Sequence, residues 1–187
     1  MKNIKSNNFN IANQITFFRL LIIPVFLVVL FIDKPYSNII AAVIFIFASL
    51  SDFLDGYIAR KYNLVTNLGK IVDPVADKIL VASAMVSLVE LQRIPSWVVI
   101  VILAREFAVG ALRNLASSNG IIIPAGWSGK IKTTIQLVSL TMIIFKEKFL
   151  GVDMYLIGKV LLYISIVVSI LSLIDYFYRY FKKGNTQ

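Results

Sequence analysis

The stretch MYLIGKVLLYISIVVSILSLIDYF, residues 154–177, decides the fold of this chain. Only Lys159 and Asp175 carry a charge in it, and an α-helix of this length can cross ~30 Å of hydrocarbon. Five more apolar runs are long enough to do the same, at 15–32, 37–59, 74–91, 95–117 and 127–145. The sequence therefore predicts an all-α integral membrane protein with six transmembrane helices.

The composition supports this class and excludes several kinds of chemistry. Of the 187 residues 58% are hydrophobic, and the mean hydropathy of +0.81 is far above that of a soluble domain. The chain has no Cys and no His, which excludes disulfides, thiolate or imidazole nucleophiles and the usual zinc ligands. Any metal must therefore bind oxygen ligands, which favours Mg²⁺, Mn²⁺ or Ca²⁺.

The net charge of +9 bears on topology rather than on nucleic acid, because the predicted spans leave no soluble domain to read a groove. Assigned to alternating faces, the loops and termini put eleven Lys and Arg on one side and five on the other. The richer side is expected to be cytoplasmic and holds both termini. We expect residues 1–187 to form a single membrane domain, with 1–13 as a possible amphipathic interfacial segment.

Four of the ten acidic residues lie close together in the sequence. Asp52 and Asp55 fall near the cytoplasmic end of the second predicted helix. Asp73 and Asp77 fall at the start of the third, where Asp73 is the expected N-cap and Pro74 the first helical residue. Spacings of three and four residues place each pair on one helix face, so the four carboxylates can converge. Charge inside a span usually marks a site, and one or two divalent cations would balance this cluster at a depth that suits a lipid phosphate.

The acids belong to a longer array, Asp52-x2-Asp55-Gly56-x2-Ala59-Arg60-x8-Gly69-x3-Asp73-x3-Asp77. It resembles the signature of the CDP-alcohol phosphatidyltransferase family at all eight fixed positions, and the six-helix layout matches that family over essentially the whole chain. The resemblance implies a binuclear metal site, with Mg²⁺ or Mn²⁺ bound by Asp52, Asp55, Asp73 and Asp77, and Asp77 also as the base that activates the acceptor. It further implies that the CDP-linked lipid contacts Gly56, Ala59, Arg60 and Thr66.

The stretch Asn10 to Arg19 is similar to the opening of family members that use glycerol 3-phosphate, although Ala12 stands where Pro is usual. Three side chains spaced three residues apart in it could bind nucleotide or phosphate: Asn13, Thr16 and Arg19. The segments 105–109 and 129–133 also look like those members. The expected cations for the acceptor phosphate are Lys78, Arg105, Arg113, Lys130 and Lys132.

The resemblance implies transfer of the phosphatidyl group from CDP-diacylglycerol to glycerol 3-phosphate, with CMP as the other product. It also implies a homodimer in the cell membrane, with the active site facing the cytoplasm. The alternatives are a family member with another acceptor, such as inositol phosphate, serine or phosphatidylglycerol, and a divalent-cation channel or transporter.

Several residues have a simpler structural interpretation. Arg19 could extend to the lipid headgroups, and Arg105 with Glu106 could form a structural ion pair inside the membrane. Lys130 and Lys132 could serve only as cytoplasmic charges that set the topology.

Overall fold

The computed structural model describes residues 11–61, 67–118 and 127–184. Within these ranges the backbone alone is described for 11–15, 52–61, 67–74 and 179–184, and for Ser117, Trp127, Ser128 and Lys130. The helices are α1 (Ile11–Phe31), α2 (Pro35–Lys61), α3 (Asn67–Glu90), α4 (Ser96–Ser118), α5 (Trp127–Phe145) and α6 (Met154–Gly184). A hairpin of β1 (Lys148–Phe149) and β2 (Val152–Asp153) joins α5 to α6.

Each of the six predicted apolar runs coincides with one helix of the described chain. The largest difference is at α3, which begins at Asn67 instead of Pro74. The expectation that Asp73 caps this helix was therefore wrong. A proline inside a helix removes a backbone hydrogen bond and usually costs about 3 kcal/mol or more, which is why the sequence favours Pro74 as a first residue, but α3 continues through it. Asp73 and Asp77 consequently both lie within α3, one turn apart on the same face.

Within the described residues, one helix segment is both long and apolar enough to cross a membrane on those criteria alone, Met154–Tyr178 of α6. Shorter apolar helical segments are Thr16–Phe31, Pro35–Ser51 and Ile131–Phe145. Large apolar side chains such as Leu21 and Phe47 are exposed on the outside of the bundle. An apolar outer surface of this kind fits a lipid environment.

The helices pack around one apolar core. The most extensive contact is between α5 and α6, while α1 packs on α2 and α3, α2 also contacts α5, and α4 contacts α6. The fully buried core side chains come from all six helices and include Phe26, Phe45, Leu80, Met85, Ile102, Leu140 and Leu162. This core fixes the relative positions of α3, α4 and α5, which surround the candidate site.

Helices α5 and α6 approach each other closely at Gly158. A Cβ atom at this position would lie 2.9 Å from the Cβ of Met142 and 3.0 Å from the backbone nitrogen of Ile143. The buried Ser139 hydroxyl also donates a hydrogen bond to the Gly158 carbonyl at 3.0 Å. A small residue therefore lets the two backbones approach, as is common between membrane helices.

We expect Gly158→Ala to lower the free energy of unfolding by about 1 to 3 kcal/mol, because the methyl group must push apart two backbones. Thermal unfolding in detergent measures the change. Gly129→Ala is the matched control, since a Cβ there would have no neighbour within 4 Å. Equal unfolding temperatures for both variants would contradict this account of the α5 and α6 contact.

Arg93, which the sequence suggests is a loop cation, is instead a buried connector between three parts of the chain. Its side chain is 2% exposed. The guanidinium donates to the Asp33 carboxylate, to Asn38 Oδ1 at 2.6 Å, and to the Ile143 and Ile144 carbonyls at 3.2 and 2.9 Å. The two carbonyls lie in the last turn of α5, where a cation is favourable. Arg93 thus ties the α1 to α2 connection to the end of α5.

Asp33 makes the stability of this connector depend on pH. Partial burial raises the pKa of Asp33, but the Arg93 guanidinium and the Lys146 ammonium together hold it below the usual aspartate value of 3.8. A lowered pKa in the folded state means that the stabilising contribution is present above the unfolded value and is lost as the pH falls through the folded value.

We therefore expect Asp33→Asn to reduce the loss of thermal stability between about pH 5 and pH 3, because the variant has no carboxylate to protonate there. Unfolding temperatures of both proteins across this range provide the measurement. Glu90→Gln is the control, because Glu90 is an exposed carboxylate at the end of α3. Parallel curves for wild type and Asp33→Asn would show that Asp33 does not contribute.

The hairpin before α6 was not expected from the sequence, which predicts only a polar connection there. Leu150 and Gly151 form its two-residue loop with φ values of 52° and 80°, as a type I′ turn requires. Asp153 then caps α6, since its Oδ1 accepts a hydrogen bond from the Leu156 amide at 3.0 Å.

Candidate active site

A cavity of ≈ 340 Å³ opens between α3, α4 and α5. Its lining residues fall within 75–85 of α3, 103–107 of α4 and 132–137 of α5, near the middle of these helices. Its polar lining comes from Asp77, Lys78, Glu106, Lys132, Thr133 and Gln136. Its apolar lining includes Val81, Met85, Leu103, Phe107 and Leu137. A cavity with a few convergent polar groups on apolar walls is the usual form of a small-molecule site.

Asp77 is the one member of the predicted acidic cluster whose side chain the structure describes, and it lines this cavity half-buried. Asp52, Asp55 and Asp73 have a described helical backbone, so Asp52 and Asp55 share a face of α2 as Asp73 and Asp77 share a face of α3. Helices α2 and α3 contact each other and are joined by five residues.

No group of three acidic side chains close enough to hold a metal occurs among the side chains that the structure describes. The side chains of Asp52, Asp55 and Asp73 lie outside the described ones. The donor chemistry at the cavity wall fits a divalent cation. Asp77 offers carboxylate oxygen at the cavity wall, and oxygen donors suit Mg²⁺ or Mn²⁺.

Two lysines bring positive charge to the cavity. Lys132 is buried, with a side chain that is 3% exposed, and its ammonium donates to the Glu106 carboxylate. Lys78 is exposed, and its ammonium lies 5.9 Å from the centre of the Phe107 ring. Gly110 of the neighbouring helix lies beside Lys78, since a Cβ there would be in ordinary van der Waals contact with Nζ at 3.5 Å. An anionic ligand in the cavity would thus meet two cations from different helices.

Two of the other expected acceptor cations, Arg105 and Arg113, are not part of the cavity lining. Arg105 is 8% exposed and does not line the cavity. Its Nη2 atom donates to the Ser172 hydroxyl at 2.9 Å, its Nε to the Ser169 carbonyl at 3.4 Å, and its Nη1 to Glu106 at 3.2 Å. Arg113 is exposed on α4 away from the cavity lining, and the Lys130 side chain lies outside the described ones.

Of the residues expected to bind the CDP-linked lipid, Thr16 and Arg19 are described with their side chains, and both are buried at 1% exposure. Arg19 Nε donates to the Ser51 hydroxyl at 3.2 Å, beside the first aspartate of the array. The burial of Arg19 does not fit an extension to the headgroups. Thr66 lies outside the described residues, and for Asn13, Gly56, Ala59 and Arg60 only the helical backbone is described.

Sequence reasoning did not find Thr133 and Gln136 in the cavity wall, and it did not pair Lys132 with Glu106. The spacing of four residues between Lys132 and Gln136 on α5 was an available signal, because it puts both on one helix face. The pairing of α4 with α5 through Glu106 and Lys132 spans 26 residues of chain and gives no local signal.

The chain belongs to the CDP-alcohol phosphatidyltransferase family, whose model matches residues 9–171. This family is membrane-bound, and its members generally depend on a divalent metal ion.

Among similar curated proteins, the CDP-diacylglycerol--glycerol-3-phosphate 3-phosphatidyltransferase of Bacillus subtilis is 35% identical over 90% of this chain and 94% of its own length. The enzyme of the same name from Rickettsia felis is 36% identical over 90% and 93%. A probable phosphatidylglycerophosphate synthase of Mycobacterium tuberculosis is 36% identical over 89% of this chain and 79% of its own length.

Proposed function

We propose that this chain transfers the phosphatidyl group of CDP-diacylglycerol to glycerol 3-phosphate, giving phosphatidylglycerophosphate and CMP in anionic phospholipid biosynthesis. The printed names of the relatives, which match over nearly the whole chain, support this reaction. The observation in the structure that carries it is the cavity in which Asp77 lies with Lys78 and Lys132. It brings together a carboxylate for a hydroxyl group and two cations for a phosphate.

Asp52, Asp55, Asp73 and Asp77 would hold two divalent ions, Mg²⁺ or Mn²⁺, at the facing ends of α2 and α3. Divalent metal bound there would neutralise the charge that develops on the pyrophosphate oxygens and would make CMP a better leaving group. The helical backbone on both sides supports this ligand set, because it keeps each aspartate pair on one face.

In this proposal Asp77 accepts the proton of the primary hydroxyl of glycerol 3-phosphate. The hydroxyl oxygen attacks the phosphorus that carries the diacylglycerol, a new P–O bond forms, and the bond to the CMP phosphate oxygen breaks. A direct displacement needs no nucleophile from the protein, in agreement with the absence of Cys and His. The position of Asp77 in the cavity lining supports its role as the base.

Lys78 and Lys132 are the cations that we assign first to the phosphate of the acceptor, since both line the cavity. Arg105, Arg113 and Lys130 are secondary in this proposal. The CDP-linked lipid is assigned to the neighbouring α1 and α2 side, where the proposed contacts are Asn13, Thr16, Arg19, Gly56, Ala59, Arg60 and Thr66. The buried contact of Arg19 with Ser51 supports a place for Arg19 beside the acidic array.

We further propose that the single domain crosses the cell membrane six times as a homodimer, with both termini and the active site facing the cytoplasm. The sequence assigns eleven Lys and Arg to the face that holds both termini and five to the other, which supports this orientation. Both substrates then reach the site from one side, the lipid laterally and the acceptor from solution.

The experiment is CMP release by the purified chain in detergent with CDP-diacylglycerol and a panel of acceptors. We expect Mg²⁺-dependent release with glycerol 3-phosphate and none with inositol phosphate, serine or phosphatidylglycerol. Release with one of these other acceptors would keep the reaction type and overturn the acceptor. Folded protein that is silent with every acceptor, but conducts divalent cations in vesicles, would overturn the enzyme in favour of a channel.

A further inference from the structure

The cavity wall contains a second carboxylate, that of Glu106, which has no step in the proposed reaction. Glu106 lines the cavity, and its Oε1 accepts hydrogen bonds from both Arg105 and Lys132. The two cations belong to different helices, α4 and α5, and Lys78 of α3 also acts on this carboxylate electrostatically. One carboxylate therefore stands among three positive charges contributed by three helices.

The two cations bonded to Glu106 differ in how they are held. Arg105 is anchored on α6 by the Ser169 carbonyl and the Ser172 hydroxyl, and it does not line the cavity. Lys132 lines the cavity, and Glu106 is its hydrogen-bond partner among the described residues. The contacts thus form a line from α6 through Arg105 and Glu106 to the ammonium of Lys132.

These contacts affect both the charge and the orientation of the Lys132 ammonium. An ammonium with a side chain only 3% exposed is expensive to keep charged unless an anion is near. It has three donor hydrogens, so one bond to Glu106 leaves two for a ligand. Because a lysine side chain is long and flexible, a fixed carboxylate beside it also decides where the ammonium points.

We propose that Glu106 is a positioning residue that holds the Lys132 ammonium charged and directed at the phosphate of the acceptor, with Arg105 fixing Glu106 to α6. The proposal rests on the proposed function for the identity of the acceptor, although the same geometry would position Lys132 for any phosphate group in the cavity. In this proposal Glu106 contacts neither the acceptor hydroxyl oxygen nor the phosphorus that it attacks. Its effect is therefore on affinity for the acceptor rather than on the chemical step.

The test compares Glu106→Gln, Glu106→Asp and Ser172→Ala with the wild type in CMP-release kinetics. For Glu106→Gln we expect the KM for glycerol 3-phosphate to rise about 10- to 100-fold, the range for losing a hydrogen bond to a charged group. The kcat and the KM for CDP-diacylglycerol should stay within threefold. Glu106→Asp should recover part of the loss, because it keeps the negative charge. Ser172→Ala should give a smaller rise in the same KM.

Binding of inorganic phosphate gives a readout that does not depend on the reaction. We expect the dissociation constant of phosphate, measured by calorimetry in detergent, to rise in parallel with the KM for Glu106→Gln and to stay unchanged for Glu90→Gln, an exposed carboxylate at the far end of α3. A wild type without turnover on glycerol 3-phosphate would overturn the proposed function alone, since phosphate binding still reports on Glu106.

A different pattern would overturn the positioning role. If Glu106→Gln lowers kcat with both KM values and phosphate binding unchanged, Glu106 acts on the chemical step or on folding. If the Gln variant does not fold, Ser172→Ala decides. An unchanged KM and unchanged phosphate binding in the folded Ser172→Ala protein would then contradict the line from α6 to Lys132.

Discussion

Asp77→Asn is expected to lower kcat for CMP release by about 10²- to 10⁴-fold, the range for removal of a general base. Asparagine keeps the shape of the side chain but loses both the negative charge and the ability to accept the proton of the acceptor hydroxyl. The loss falls toward the upper end of the range if Asp77 is also a metal ligand. Single-turnover CMP release, with Mg²⁺ in excess, measures it.

The control for this variant is Glu90→Gln, which neutralises another carboxylate on the same helix at the opposite end. Its kcat should equal that of the wild type. The Asp77→Asn protein should also unfold within a few degrees of the wild type, because Asp77 is only half-buried. Retention of more than a tenth of the wild-type kcat in the Asn variant would remove Asp77 from the chemistry.

Arg93→Ala is expected to produce the largest loss of stability, about 3 kcal/mol or more, as for the breaking of buried charged networks. The truncation leaves Asn38 Oδ1 and the carbonyls of Ile143 and Ile144 without their donor in a buried place. Arg93→Lys should recover little, since one ammonium cannot match the planar fork that reaches four acceptors. Thermal unfolding in detergent measures both variants.

Lys148→Ala serves as the control for Arg93→Ala, because it removes an exposed cation from the neighbouring hairpin. Arg93 follows the end of α3, about 20 Å along the helix from Asp77. The folded fraction of Arg93→Ala should therefore keep a kcat close to that of the wild type. An Arg93→Ala protein as stable as the wild type, whether active or inactive, would contradict the structural role.

The parts of this molecule that the sequence predicts well are those with a local signal. Six long apolar runs correspond to six helices because a buried or lipid-facing helix needs apolar residues along its whole length. The acidic pairs are also predictable from a local signal, because a spacing of three or four residues puts both side chains on one helix face. The start of α3 was misplaced because Pro74 is a common first residue, and here the helix continues through it.

The parts that could not be predicted depend on contacts between distant residues. From its position in a short polar connection, Arg93 is expected to be a loop cation. Only the packed bundle brings it to Asp33 and Asn38, which are 60 and 55 residues away. The hairpin was missed because Leu150 occupies a positive φ position where Asn or Asp is usual. Glu106 could be placed in a membrane helix from the sequence, but its bond to Lys132 could not.

The hairpin between α5 and α6 fixes how far one helix is displaced along the other. Most surface loops tolerate changes of length, but one residue inserted at the junction of the hairpin with α6 and added to the helix would turn α6 by about 100° relative to α5. Gly158 would then leave the Met142 and Ile143 backbone, and Ser169 and Ser172 would turn away from Arg105. The length of this junction therefore sets which side chains of α6 meet Arg105, and we expect it to be among the least variable in length within close homologues.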